Sequence, residues 1–397
     1  MIPFDFDVVI VGGGIAGSAC ATLLARRGFQ VVLIEQSRFE RSRIGEVCSG
    51  QLVDDFQRIL GFDFSKRAPD VGSLEGGIAF QTSWGTLSSS TESQSERLTS
   101  SSSESGLGAG TYIRLDRCWL DKSLFEHAGR SGATTFVATR VKHVEPQPGG
   151  WGFYLHGMGE TAFKTARLVI EATGRTGYSP FPTMRGRIFH DASTACALRL
   201  KGRPDARQSK QVYLETDARG WWYSSQLPSG DRLIVYVTDL DLMPSRAAAR
   251  IEWLGDRLQT TQWMAPLASE YQRLKEPGRW SLHDARMSVR RQCTGPGWIA
   301  LGDAQMALDP LSGQGIREAL QSAQWATPLI LQALSDNSLP IDHSHFAREV
   351  AVRYNRHRIH SLYNYSLEQR WSSHPFWQRR QATVPVPSKM AEMALRL

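Results

Sequence analysis

Asp7–Val11 reads DVVIV, a largely apolar, β-branched run that stops at Gly12-Gly13-Gly14. A periodic apolar and small-residue stretch follows from Ile15 to Arg27, closed by Gly28, and Gln30–Glu35 (QVVLIE) is a second buried-strand pattern. Strand, glycine turn, helix, glycine cap and strand make a βαβ unit, which implies a parallel sheet. Inside it, Gly12-x-Gly14-x-x-Gly17 is a dinucleotide fingerprint in its proper context. Gly12 allows the tight turn, Gly14 lets a pyrophosphate approach the helix N-terminus, and Gly17 permits close helix–strand packing. Ile15 and Ala16 open that helix and belong to the same binding site. Glu35 ends the second strand, where a carboxylate accepts hydrogen bonds from ribose hydroxyls, and Gln36 stands beside it. A glycine turn in an unrelated α/β protein would leave Glu35 unexplained.

A chain of 397 residues, 41% apolar and 21% charged, has room for two or three globular domains, and its mix excludes global disorder, collagen and coiled coil. The net charge of +7 favours an acidic ligand without demanding nucleic acid; no basic run or binding module supports the latter. The five cysteines are isolated and form no CxxC pair, and His127, His283, His343 and His345 show no ligand spacing, so no metal is expected. No 18-residue apolar run is present and Asp5 and Asp7 stand where a signal peptide carries basic residues, so a cytoplasmic protein with no membrane span is the expectation.

Further along, Ser88–Ser105 holds ten serines in eighteen residues, which no packed core can use; it reads as a solvated loop. Thr111–Leu115 is a short strand candidate, followed by a helix over about Asp116–Arg130. Thr135–Val144 reads as one strand, Trp151–Leu155 with Thr161–Thr165 as a hairpin, and Arg167–Ala172 as a separate buried strand. From Ala195 to Asp239 apolar and polar residues alternate, as in an antiparallel sheet with one covered face. Residues 243–275 look helical, Trp298–Leu301 is again a buried strand, and helices are expected over Gly313–Leu334 and from 342 to about Gln381. The tail from 342 carries nine Lys or Arg against four Asp or Glu.

Three later pieces complete a pattern. Arg167–Gly174 (RLVIEATG) ends in a Thr-Gly turn. Gly302-Asp303 follows the WIAL strand, where a carboxylate can hold ribityl hydroxyls. Asp309–Ile316 (DPLSGQGI) presents backbone N–H groups at a helix start. In this order the motifs resemble the FAD-dependent monooxygenase superfamily built on the glutathione-reductase type 2 fold, which includes p-hydroxybenzoate hydroxylase, flavin halogenases and geranylgeranyl reductases. The resemblance spans roughly residues 5–330 and implies an α/β fold. A Rossmann-like FAD-binding domain (1–75, 107–182, 284–335) would carry an inserted antiparallel-sheet substrate domain (76–106, 183–283) and a helical C-terminal region (336–397). RIGE (43–46), GWWYSSQLPSGDRLIVYVTD (220–239) and YNYSLEQRWSSHPFWQRR (363–380) look like the narrower group of flavoproteins that help make tryptophylquinone cofactors.

What the resemblance implies is an enzyme holding FAD through Gly12, Gly14, Ile15, Ala16, Gly17, Glu35, Gln36, Arg43, Arg117, Val141, Gly302, Asp303, Gly313, Gln314, Gly315 and Ile316. It would take electrons from NAD(P)H or a separate reductase, react with O2 to a C4a-hydroperoxide, and hydroxylate an aromatic ring, such as a tryptophan in a partner protein or peptide. Pro310 and Ser312 would line the flavin side, with Glu46 as proton-handling carboxylate or as a purely structural one. On the strand Trp221-Trp222-Tyr223, Trp222 faces opposite to its neighbours, and one face offers a substrate platform, with Trp222 and Tyr223 the candidates. A halogenase is the runner-up: halogenases carry W-x-W-x-I-P, which Trp221–Ser224 does not match, and a substrate-side lysine, for which Lys66 is a loose candidate. A geranylgeranyl-type alkene reductase and a non-catalytic flavin-bound maturation chaperone stay open.

Overall fold

The computed structural model describes residues 4–40, 43–64, 79–84, 112–157, 160–175, 186–202, 211–272, 280–335 and 343–382. The Ser88–Ser105 loop and Lys66 lie outside them. The chain begins with β1 (Phe6–Val11), α1 (Ile15–Ala25) and β2 (Val31–Ile34), the βαβ unit read from sequence. β1 pairs in parallel with β2, Val8 opposite Val31. Then come β3 (Val47–Ser49), α2 (Gln51–Leu60), β4 (Ala79–Thr82), β5 (Tyr112–Arg114) and α3 (Arg117–Arg130). α2 buries Leu52, Phe56 and Leu60, a stripe at four-residue spacing, and ends on the left-handed Gly61. α3 is capped by Asp116, whose carboxylate accepts the N–H groups of Cys118 and Trp119.

β6 (Thr134–Phe136), β7 (Arg140–Gln147), β8 (Gly150–Gly157) and β9 (Glu160–Glu171) follow. Two sequence expectations change here. Thr135–Val144 is two strands, because the chain turns at Ala138, which has a positive φ of 52°. Thr161–Thr165 and Arg167–Ala172 are one strand. The first half of β9 pairs with β8 and the second half joins β1 in parallel, Val8 opposite Leu168.

The chain continues through β10 (Arg187–Phe189), β11 (Ser193–Leu200), β12 (Gln211–Asp217), β13 (Gly220–Gln226), β14 (Arg232–Asp239), α4 (Ala247–Gln259), α5 (Met264–Gln272) and β15 (Trp280–Asp284). It closes with β16 (Ser288–Arg290), β17 (Thr294–Gly295), β18 (Trp298–Ala300), β19 (Met306–Ala307), α6 (Gly315–Ser335), α7 (His343–Ser366) and α8 (Pro375–Gln381).

One sheet runs β17-β18-β9-β1-β2-β6, with β8 and β7 continuing from β9. α1, small-sided through Gly17, Ala19, Cys20 and Ala21, lies between this sheet, α3 and α6. The second sheet runs β15-β11-β14-β13-β12-β4. Its alternation suggests one covered face, yet both are covered. Trp221, Val235 and Val237 pack on one side with Tyr365, Phe376 and Trp377 of the C-terminal helices. Trp222, Ile234 and Tyr236 pack on the other with Leu254, Leu258 and Ala268 of α4 and α5. α7 is tied to α6 by Arg353, which lies over Trp325 and pairs with Glu318. No helix among the described residues is long and apolar enough to cross a membrane.

Candidate functional site

The glycine turn has no room for side chains. Gly12 has a φ of +112°, and a Cβ there would sit 2.2 Å from the Ala172 carbonyl oxygen; one on Gly17 would sit 1.9 Å from the Gly12 oxygen. These contacts bring the Thr-Gly turn after β9 against the fingerprint. Glu35, 5% exposed, accepts the Gly13 N–H at 2.8 Å on one oxygen and the Ser37 N–H at 2.8 Å on the other. Its carboxylate is held beside the turn with lone pairs left for hydroxyls. The Thr139 N–H bonds the Glu35 carbonyl at 3.0 Å, so Val141, buried on β7, stands two residues from that contact, while Gln36 is exposed.

Above the α1 N-terminus, where Ile15 and Ala16 begin the helix without a side-chain cap, lies Arg43. Its Nη1 would be 3.5 Å from a Cβ on Gly14. Asp121, fully buried on α3, holds Arg43 at 2.7 Å and Arg117 at 3.3 Å, and Arg117 also donates to the Ile44 carbonyl at 2.9 Å. Two guanidinium groups sharing one carboxylate, next to orphan helix N–H groups, leave a net positive corner that can receive an anion. Asp121 was not a sequence candidate; its place four residues after Arg117 on a helix is the signal that marks it.

The second end of the cradle is built from β9, β18 and the α6 start. Gly302, with a φ of +58°, packs on α1: a Cβ there would meet the Ala16 methyl at 2.8 Å. Asp303 pairs with Arg175 at 3.0 Å, and Arg175 also bonds the Leu308 carbonyl at 2.6 Å. Beneath them the fully buried Glu171 pairs with Arg290 at 2.5 Å. Arg187 donates to the Ala304 carbonyl at 2.9 Å, and burial beside Arg290 pushes its guanidinium down to about 10. Sequence reading stopped at Gly174 and missed Arg175, the residue directly after the turn.

Asp309 caps the single turn Pro310–Ser312 by accepting the Leu311 N–H at 2.9 Å, and Ser312 Oγ donates back to the Asp309 carbonyl at 2.8 Å. Gly313 is left-handed at φ +61°, the Gln314 N–H points at Ser312 Oγ, and Ile316 is buried at the α6 start. A Cβ on Gly313 or Gly315 would meet nothing within 4 Å. The turn therefore faces open space with bare backbone, as a planar anionic ring system requires. The residues present fit FAD.

Between this cradle and the second sheet sits Glu46, 2% exposed. Ser225 Oγ donates a short hydrogen bond to Oε1, and Oε2 accepts the Gly45 N–H at 3.0 Å and the Tyr223 hydroxyl at 3.4 Å. Burial and the neighbouring carboxylate push the Tyr223 hydroxyl well above its usual range. Tyr223 thus faces the seam. Trp222 does not: it is fully buried on the opposite face, stacked on Tyr236 at 4.2 Å with its Nε1 bonded to Asp217, so it is core and has no free face for a substrate. Behind the Pro310–Ser312 turn, Tyr365 of α7 donates to Asp309 at 3.2 Å and accepts from Trp221 Nε1 at 3.2 Å. Burial, together with Asp191, raises the Asp309 carboxyl to about 6.

Comparisons with known proteins bear on this geometry. Residues 7–102 match the family model "FAD dependent oxidoreductase", and residues 114–395 match "Tryptophan halogenase". The chain is 26% identical to "Putative FAD-dependent oxidoreductase LodB" of Marinomonas mediterranea over 95% of this chain and 97% of that protein. It is 24% identical to "Tryptophan 2-halogenase" of Chondromyces crocatus over 81% of this chain but 60% of that protein. Among solved structures, "Peptidyl tryptophan dihydroxylase QhpG essential for tryptophylquinone cofactor biogenesis" superposes with a TM-score of 0.72 at 22% identity, covering 95% of this chain and 78% of that one. The flavin-dependent halogenase CmlS superposes with a TM-score of 0.74 at 20% identity, covering 100% and 71%. Both show the same fold.

Proposed function

Since the chain belongs to the tryptophan halogenase family of FAD-dependent oxidoreductases, we propose that it is a flavin monooxygenase that adds oxygen to an aromatic ring, the indole of a tryptophan in a precursor polypeptide. The observation that carries this reading is Glu46, a buried carboxylate in the seam between the FAD cradle and the second sheet, held by Ser225 and Tyr223. One likeness supports the choice of substrate, the structure named as a peptidyl tryptophan dihydroxylase; LodB, matched over nearly the full length of both chains, supports the FAD-dependent oxidoreductase class.

In this reading Gly12, Gly14 and Gly17 admit the pyrophosphate, Glu35 holds the ribose, Arg43 and Arg117 offset the phosphate charge, and Asp303 with Gly313–Gly315 receives the remainder. Bound FAD, reduced by NAD(P)H or a separate reductase, supplies activation of O2. The protein's own part is to exclude water and handle one proton. Replacing a ring hydrogen by hydroxyl releases a proton, and Glu46 Oε2 takes it while the Ser225 and Tyr223 hydroxyls keep the carboxylate aimed.

The test is incubation of the FAD-loaded, reduced protein with O2, bromide or chloride, and a tryptophan-bearing precursor polypeptide. A gain of one or more oxygen atoms on tryptophan, lost in Glu46→Gln while FAD is retained, is the expected result. Halogen on the ring would instead make the chain a halogenase, and tight binding with no mass change would make it a maturation chaperone.

A further inference from the structure

The turn Gly302–Ala304 between β18 and β19 has its backbone and its one charged side chain held by different residues. Arg187 of β10 donates to the carbonyls of Asp303 and Ala304, and Arg290 of β16 donates Nε to the Ala304 carbonyl at 2.7 Å. Those bonds fix the backbone. The Asp303 carboxylate is held by Arg175 instead, whose Nε donates to Oδ2 at 3.0 Å, while Oδ1 takes no bond from any described residue.

Arg175 is itself fully engaged. Nη1 donates to the Arg286 carbonyl at 3.2 Å and Nη2 to the Leu308 carbonyl at 2.6 Å, so its three nitrogens meet three different segments. Arg286 lies just before β16, and Leu308 just before Asp309 and the turn that faces open space. A planar guanidinium held at three points has one orientation, which the point charge of a lysine cannot reproduce. The pair is also open to solvent: the Arg175 side chain is 23% and that of Asp303 30% exposed, against 5% for Arg290 and 0% for Glu171 beneath them. A carboxylate at the open end of a cradle for a diphosphate is a liability, because the ligand brings negative charge and an unpaired carboxylate repels it.

We propose that Arg175 is a positioning residue of the cofactor cradle: it fixes the Asp303 carboxylate by Oδ2, leaving Oδ1 for a ribityl hydroxyl, and it cancels the charge with which Asp303 would otherwise repel the pyrophosphate of FAD. This rests on the FAD reading above. The role is separable from bracing the backbone. The bonds to Leu308 and Arg286 act whatever residue stands at 303, whereas compensation of charge matters only while that residue is a carboxylate, so the two roles differ in how changes at 175 and 303 combine.

The experiment is titration of FAD with the full chain, read by quenching of flavin fluorescence, for the wild type, Arg175→Met, Asp303→Asn and the double variant, with Arg175→Lys beside them. Arg175→Met should weaken FAD binding about tenfold or more. The double variant should bind FAD more tightly than Arg175→Met alone, because the second change removes the stranded charge. Arg175→Lys, which keeps the charge and loses the fork, should lose less than Arg175→Met. Denaturant unfolding of each variant without FAD reports the fold, and Arg175→Gln takes the place of Arg175→Met in the cycle where the latter does not fold. An equal loss from Arg175→Met in the wild-type and Asp303→Asn backgrounds, or equal losses from Arg175→Lys and Arg175→Met, overturns this inference alone and leaves Arg175 a brace for the backbone. No FAD binding by the wild type overturns the cofactor reading and this inference with it.

Discussion

Asp309→Asn offers a test that can be worked from the structure. The Asp309 carboxyl is 4% exposed, faces the Tyr365 hydroxyl and the Leu311 N–H, and feels Asp191 and Arg380 from neighbouring elements. Burial, with Asp191 adding to it, outweighs the other contacts and raises the carboxyl from 3.8 to about 6. Moving it that far costs the ionised form about 3 kcal/mol in the folded state. Below 3.8 both folded and unfolded chains hold the proton and there is no cost. Between 3.8 and about 6 the unfolded chain releases it while the folded chain retains it, so stability falls as pH rises; above about 6 the loss is complete. Asparagine keeps the accepting oxygen and never ionises. The variant should therefore match the wild type near pH 4 and exceed it by up to about 3 kcal/mol near pH 7 and above. Denaturant unfolding at saturating FAD, repeated from pH 4.5 to 8, reads this directly. A variant curve running parallel to the wild type at all pH values would refute the reasoning, because the proton would then sit on another group.

Gly17→Ala places a Cβ 1.9 Å from the Gly12 oxygen, so the turn must shift; a loss of about 1–3 kcal/mol in stability and a purified protein without flavin absorbance are expected, and normal FAD retention would contradict the close packing. Arg290→Met takes the guanidinium from the fully buried Glu171 and should cost about 3–5 kcal/mol in an unfolding titration, with much of that recovered in the double variant carrying Glu171→Leu.

The first βαβ unit was legible because its signal is local: glycines at fixed offsets, and a carboxylate one strand away that does bond back to Gly13. The contacts that complete the candidate site carry no such signal. Glu46 meets Ser225 across 179 positions and Asp309 meets Tyr365 across 56, and neither pair shares a period or a motif. Strand alternation told that Trp222 opposes its neighbours, but which face of a sheet points at the cofactor depends on where α4 and α5 dock, and that is a tertiary fact. The break at Ala138 was hidden for a related reason: both flanking segments suit a strand, and only the left-handed residue between them separates the two.

The aromatic cluster on the inner face of the second sheet has a consequence for how the chain is made. Its members come from the beginning, middle and end of the polypeptide: Trp84 donates to the backbone of a residue synthesised 280 positions later, and Trp377 Nε1 closes on the Asp217 carbonyl. On a translating ribosome the strands from β11 to β14 emerge with one face bare, and it stays bare until α7 and α8 have left the exit tunnel. Local hairpins can form early, yet this face of the sheet keeps Trp221 uncovered until both helices have been made, so a chain cut before them would leave an apolar sheet face open to aggregation.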